Sequence, residues 1–287
     1  MNPETFKPRD RVARLVAMPR ETYEAQRARA NFSTLKHFAK SPAHYRHAVD
    51  SPGREDTPAM KLGRVAHLAI LEPEKCADGC VIWDGGTRRG KAWDAFVEAN
   101  VGREILTADE AAACLGMARA VRADREAMRY LDDGAAETTA LWQDAESGRL
   151  CRGRMDWLAS CGASVDLKTT VDGSPGAFGR AAWTGHYHSQ GAFYTDAIHA
   201  ATGERFRHVL IVVEKKPPYV VQVYVVPQHA IDAGRASYRG WLRRLDECER
   251  AGRWPGYADG LSDLVIPRFA DLAGESADDD TDDTANE

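Results

Sequence analysis

Two rhythms of apolar residues run along the chain, and they divide it into a helical first half and a mixed second half. From Asn31, "NFSTLKHFAKSPAHYRHAV" sets Leu35, Phe38 and Ala39 at helical spacing, with Ser33 as the expected cap. A second helix from about Ala59 turns Leu62, Val65, Ala66, Ala69 and Ile70 inward until "LEPE" ends it. The pattern then predicts a short strand at "CVIW", a loop at "DGGTRRGK", and helices over 92–100 and 107–131. Beyond this the period shortens. "AETTALWQ", "LCRGRMDWLA" and "SVDLKTT" read as three consecutive strands. One long helix is expected from about Ala177 through "YHSQGAFYTDAIHAAT". Two β-branched strands, "RFRHVLIVVEKK" and "YVVQVYVV", and a closing helix over 227–252 follow. The expected fold is α/β: a mixed central sheet flanked by helices, with a helical N-terminal part. Residues 1–30 read as a polar lead-in and 31–273 as a single domain, helical over 31–135 and α/β over 136–273.

Charge adds an asymmetry. The segment "GESADDDTDDTANE" (274–287) holds seven acids and no Lys or Arg, so the net charge of −5 becomes +2 once it is set aside. With almost no apolar residues it is expected to be disordered, as a solubilising end or as an acidic mimic of nucleic acid. No apolar run approaches the roughly 20 residues of a membrane span. The N-terminus lacks the apolar centre of a secretory signal, which points to the cytoplasm. Six scattered cysteines with no C-x-x-C indicate neither a disulfide framework nor a zinc finger, and no iron–sulfur cluster is expected.

The candidate chemistry lies in "GRMDWLASCGASVDLKTT". Asp156 falls on one strand and Asp166 and Lys168 on the next, with Val165 and Leu167 facing the other way. Two acids and a lysine then share one side of a hairpin, where unpaired burial is expensive. Carboxylates suit Mg²⁺, and a metal-activated water beside an ammonium suits phosphodiester hydrolysis. The Leu167 carbonyl is a candidate further ligand. Taken alone, Asp-x-Lys on a strand is more commonly a solvated face with a cross-strand ion pair. Arg152 and Arg154 share the face of Asp156, and Glu137 opens the preceding strand as a further acid. His186 and His188, two apart on one helix, would point to different sides.

Further blocks in the same order narrow the choice. "GRMDWL…VDLKTT…YHSQGAFY" resembles the RecB-like form of the PD-(D/E)xK nuclease superfamily, with its Asp, Asp-x-Lys and Gln-x-x-x-Tyr at Asp156, Asp166, Lys168, Gln190 and Tyr194. That form also uses a helical His, matched by His67 in "MKLGRVAHLAILEPE", and this stretch with "NFSTLKHFAKSPAHY" resembles the RecE (exonuclease VIII) branch. Met155 stands where the superfamily's name has Pro, and the chain reads as a compact version without RecE's long N-terminal extension. The resemblance implies a restriction-endonuclease-like core and a 5′→3′ exonuclease on double-stranded DNA that leaves a 3′ single-stranded overhang and needs Mg²⁺ or Mn²⁺. It implies His67, Asp156 and Asp166 as metal ligands, to which the Leu167 carbonyl is added from its position alone, with Lys168 acting on the water and Gln190 and Tyr194 shaping the substrate side. It also implies a ring, tetrameric in RecE, and a single-strand annealing partner of RecT type in a phage or prophage setting. Lys36, Arg64 and Arg154 are the expected DNA contacts, with Arg88 and Arg89 of the basic loop as phosphate ligands or as parts of a solvated turn. The rival readings are a Cas4-like or RecB-like nuclease on single strands and a catalytically idle DNA-binding subunit.

Overall fold

Strands form where β-branched and aromatic residues cluster, and those with both faces covered are apolar throughout. The structure is a computed structural model and describes residues 13–51, 57–258 and 260–264. Its large sheet begins with β1 (Arg14–Ala17). The parallel pair β2 (Cys80–Ile82) and β3 (Glu104–Leu106) stands apart as a small second sheet. The large sheet continues with β4 (Gly134–Gln143), β5 (Leu150–Ala159), β6 (Ala163–Thr170), β7 (Arg207–Glu214) and β8 (Val221–Val225). Its spatial order is β1-β4-β5-β6-β7-β8, antiparallel except for the parallel β6–β7 pair. Neither strand of that pair is at an edge, and β7 is accordingly a near-continuous "HVLIVV" buried on both faces.

The helices are α1 (Arg20–Ala25), α2 (Phe32–Leu35), α3 (Pro42–Asp50), α4 (Pro58–Leu71), α5 (Pro73–Gly79), α6 (Lys91–Ala99), α7 (Ala108–Ala123), α8 (Arg125–Leu131), α9 (Pro175–Thr184), α10 (Tyr187–Thr202) and α11 (Gln228–Ala251). They cover the sheet on two sides. On one, Val65 and Ala66 of α4 and Met117 and Val121 of α7 pack on Val165, Leu167, Val209 and Ile211. On the other, Phe193 of α10 meets Trp142 edge-on at 4.6 Å and Tyr238 of α11 at 5.4 Å. Burying a ring such as Phe193 contributes about 1.5–3 kcal/mol, which makes this side the anchor for α10.

Several expectations change here. The lead-in is partly inside the fold: β1 pairs with β4, and Ala30 bridges to Cys151. Asn31, rather than Ser33, caps α2, its side chain accepting from the Thr34 amide at 3.1 Å. The helix over 107–131 breaks at Asp124, which ends α7 and caps α8 by accepting from the Ala127 amide at 2.8 Å. The long helix from Ala177 breaks at Gly185 and His186, the latter left-handed at φ 57°. The acidic segment 274–287 lies outside the described residues.

Candidate active site

A fork in the sheet makes the site. β5 and β6 pair at Trp157↔Val165, Leu158↔Ser164 and Ala159↔Ala163 and then part. At the fork the Asp156 side chain replaces the ladder, its Oδ2 accepting from the Leu167 amide at 2.9 Å. Across β4, Glu137 stands opposite Asp156 with φ 51°, a costly backbone for a residue with a side chain. The kink changes the alternation: Met155 and Leu158, three apart, both enter the core beneath α10. Asp156 thereby comes within reach of α4, where His67 Nδ1 lies 3.4 Å from Asp156 Oδ2.

Asp166 and Lys168 point the other way from Leu167, toward α10. Lys168 Nζ is 2.5 Å from Asp166 Oδ2 and donates to Gln190 Oε1 at 3.2 Å. Gln190 Nε2 in turn donates to the Tyr194 hydroxyl at 3.3 Å, which ties α10 to the lysine through two side chains. Tyr194 fits because residue 153 is glycine: a Cβ there would lie 3.1 Å from the tyrosine ring. The Lys168 ammonium also sits 4.4 Å from the centre of the Tyr187 ring.

The charges are held under tension. Burial, followed by the charge of Asp166, pushes the Asp156 carboxyl well above its ordinary value, against the pull of Lys168. Burial lowers His67 to about 4, so its imidazole is neutral at pH 7 and its approach to Asp156 is not an ion pair. Burial would lower Lys168 too, but Asp166 and Asp156 outweigh it and leave the ammonium firmly charged. Asp166 is 2 % exposed, and its Oδ2 has the ionic contact with Lys168 but no well-angled hydrogen bond. Among the described residues no three His, Cys, Asp or Glu side chains converge tightly enough to coordinate a metal by themselves. The donors still suit a hard divalent cation in kind: a neutral imidazole, two carboxylates that repel one another, and a buried carboxylate oxygen whose contact with Lys168 is ionic. Waters and substrate oxygens ordinarily complete such a shell.

Because the Asp156 pKa is raised on folding, this carboxyl favours the fold when protonated. That contribution is present below the ordinary carboxylate range and is lost as pH rises through the raised value. Asp156→Asn, which cannot ionise, should therefore raise the metal-free melting temperature at neutral pH by about 2 °C or more while cleavage is lost. Melting curves in EDTA should converge with wild type as pH falls to about 4. A variant destabilised equally at every pH would contradict this.

Lys36 reaches the rim of this site. Burial and then the charge of Lys168 lower its pKa, and its own charge depresses His186 after burial. The other expected DNA contacts are engaged elsewhere. Arg64 binds Glu104 through two nitrogens, at 2.6 and 2.9 Å. Arg88 binds Glu110 at 2.6 Å and lies over Trp93, and Arg89 is exposed in the same loop. Arg154 pairs with Glu137 rather than with Asp156, donates to the Met18 carbonyl at 3.0 Å and lies over Tyr23. Leu167 meets Asp156 through its amide, and its side chain is buried. His186 stands before α10 and so comes within 6.2 Å of the His188 ring, which is buried against Trp183. Tyr187 went unnoticed in the sequence, although it precedes Gln190 by three and so shares its helical face. Tyr23, in the lead-in, carried no signal.

A sequence profile described as a PDDEXK-like domain of unknown function (DUF3799) matches residues 31–264. No curated protein matches by sequence. A crystal structure from Eubacterium rectale, described as that of a candidate exonuclease, superposes with a TM-score of 0.59 at 13% identity, covering 92% of this chain and 99% of its own. At that identity the likeness is one of fold. A second solved structure, SSO0001, covers 72% of this chain and 83% of its own at 13% identity, with a TM-score of only 0.27.

Proposed function

Because the chain belongs to the PDDEXK-like domain family over residues 31–264, we propose that it is a metal-dependent DNA exonuclease of the RecE type. It acts from the 5′ ends of linear duplex DNA and leaves 3′ single-stranded overhangs. The observation that carries the reading is the fork, where Asp156 takes the Leu167 amide and faces His67 while Asp166 and Lys168 are presented beside it. The family description supports a nuclease. The choice of duplex ends and the polarity rest on the ordered RecE-like blocks.

Asp156, Asp166 and His67 would hold the cation, Mg²⁺ or Mn²⁺, with the Leu167 carbonyl as a further ligand. Once bound, it supplies Lewis-acid charge at the phosphate and makes a nearby water more acidic. Lys168 is held in place by Asp166 and Gln190, and its ammonium orients the attacking water and offsets charge growing on the phosphate. Gln190 is a positioning residue, fixed by Tyr194. In the reaction the water oxygen bonds to phosphorus, the bond from phosphorus to the 3′-oxygen breaks, and the remaining water proton ends on that oxygen. The terminal nucleotide leaves with a 3′-hydroxyl, and the shortened strand keeps a 5′-phosphate. A homo-oligomeric ring, tetrameric as in RecE, would give processivity, and the overhang would pass to a RecT-type annealing protein in the host cytoplasm.

The test is a linear duplex labelled separately at its 5′ and 3′ ends, incubated with Mg²⁺ or with EDTA. Early release of the 5′ label only with Mg²⁺, with the 3′ label retained on a lengthening single strand, is expected. Cutting confined to single strands or circles would overturn the exonuclease assignment, and absence of cutting with any divalent metal would overturn the enzyme.

A further inference from the structure

The fold carries a trough beside the fork that none of the motif residues explains. Its aromatic end is a cavity of about 240 Å³ between α9, α10 and the end of β8, lined by Phe178, Trp183, Tyr187, His188 and Tyr224. Tyr187 belongs to both places, because the same ring carries the Lys168 ammonium. Trp183 is 67% exposed and stacks on His188 at 4.8 Å with the rings 7° from parallel. Phe178 and Tyr224 stack at 5.3 Å and 9°, forming a second flat pair.

The trough continues past Val225, Val226 and Pro227, which also line a second cavity of about 340 Å³. That cavity is basic. Arg235 on its wall is committed to Asp196 and Asp232. Arg205 and Arg207 are exposed, and among the described residues no carboxylate pairs with their guanidinium groups. His208, also in the lining, is 1% exposed, and neither ring nitrogen has a hydrogen-bond partner among the described residues.

We propose that this trough binds a single-stranded segment of the nucleic acid held at the fork, with one unstacked base in the aromatic cavity and a neighbouring phosphate on Arg205 and Arg207. The inference rests on the nuclease reading and adds to it where the strand lies. Flat rings joined to uncommitted cations are what single strands require, since every base offers a face for stacking and every nucleotide a phosphate. Continuity through Tyr187 places the occupant on the strand at the catalytic lysine.

Binding in EDTA separates this inference from catalysis. Fluorescein-labelled single-stranded oligonucleotides, either fully base-bearing or with one abasic site moved stepwise along the strand, are titrated against wild type, Trp183→Ala, Trp183→Phe and Arg205→Ala/Arg207→Ala. Trp183→Ala should weaken binding about tenfold on base-bearing DNA, and Trp183→Phe should restore most of it. The loss should vanish when the abasic site occupies one particular position. The double arginine variant should lower the slope of log affinity against log salt by about 0.7, one phosphate's worth. Variants that bind like wild type, or a Trp183→Ala loss unchanged at every abasic position, would overturn the trough while leaving the nuclease standing. If wild type bound and cut no DNA of any form, the nuclease reading would fall, and the trough with it.

Discussion

Asp166→Asn is expected to cut the rate of DNA cleavage by at least about a thousand-fold in a chain that remains folded. The amide nearly matches the carboxylate in shape, so the buried position on β6 keeps its packing. What disappears is charge. A candidate cation ligand is lost, and Lys168 loses the first of the two carboxylates that hold its ammonium charged against burial. Without the Asp166 charge Asp156 ionises more readily and serves Lys168 as counter-charge, which is why folding should survive. Circular dichroism checks the fold and release of labelled nucleotide measures the rate. A variant cutting at close to the wild-type rate would remove Asp166 from the site.

Gly234→Ala is expected to do the second greatest damage, through packing. Gly234 lies where α11 crosses α10, and a Cβ there would stand 2.4 Å from the His188 carbonyl oxygen and 2.8 Å from the Ser189 Cα. These are backbone atoms and cannot swing aside, so the helices must separate. The crossing also holds the Tyr238 hydroxyl on Asp196 at 2.6 Å and the Arg235 bonds to the same carboxylate. Overpacking of this kind costs about 1–3 kcal/mol or more, which lowers the melting temperature by about 3–10 °C. Cleavage should fall as well, because His188 and Ser189 lead directly into Gln190. Gly240→Ala is the control, since its Cβ would meet only the flexible end of Arg243 at 3.8 Å. That change should be neutral or stabilising. Equal melting temperatures for the two variants would contradict the close-packed crossing.

Local pattern carried much of this architecture. β4, β5 and β6 follow from alternation and from the small-residue turn between Ala159 and Ala163, and β7 from its unbroken β-branched run. β1 escaped notice because four residues on a sheet edge, "RLVA", show too little alternation to stand out from a polar segment. β3 has only three residues. The breaks at Asp124 and His186 were hidden because apolar spacing continues across each; capping and a left-handed residue decide them. For the site, motif order brought out His67, Asp156, Asp166, Lys168, Gln190 and Tyr194, and the fold brings these side chains to one region. The fork itself could not be read, since it depends on where two strands stop pairing. Nor could the ion pairs of Arg64 and Arg154, whose partners Glu104 and Glu137 are brought close by folding.

On the proposed function, Asp156, Asp166 and His67 would hold one divalent cation between them. The most direct measurement is the paramagnetic resonance signal of free Mn²⁺ during titration into metal-free wild type and into Asp166→Asn. Loss of free signal with saturation at a stoichiometric site in wild type, and its absence in the variant, is the predicted result. Equal Mn²⁺ uptake by both proteins, or none by wild type with or without an oligonucleotide, would contradict the account.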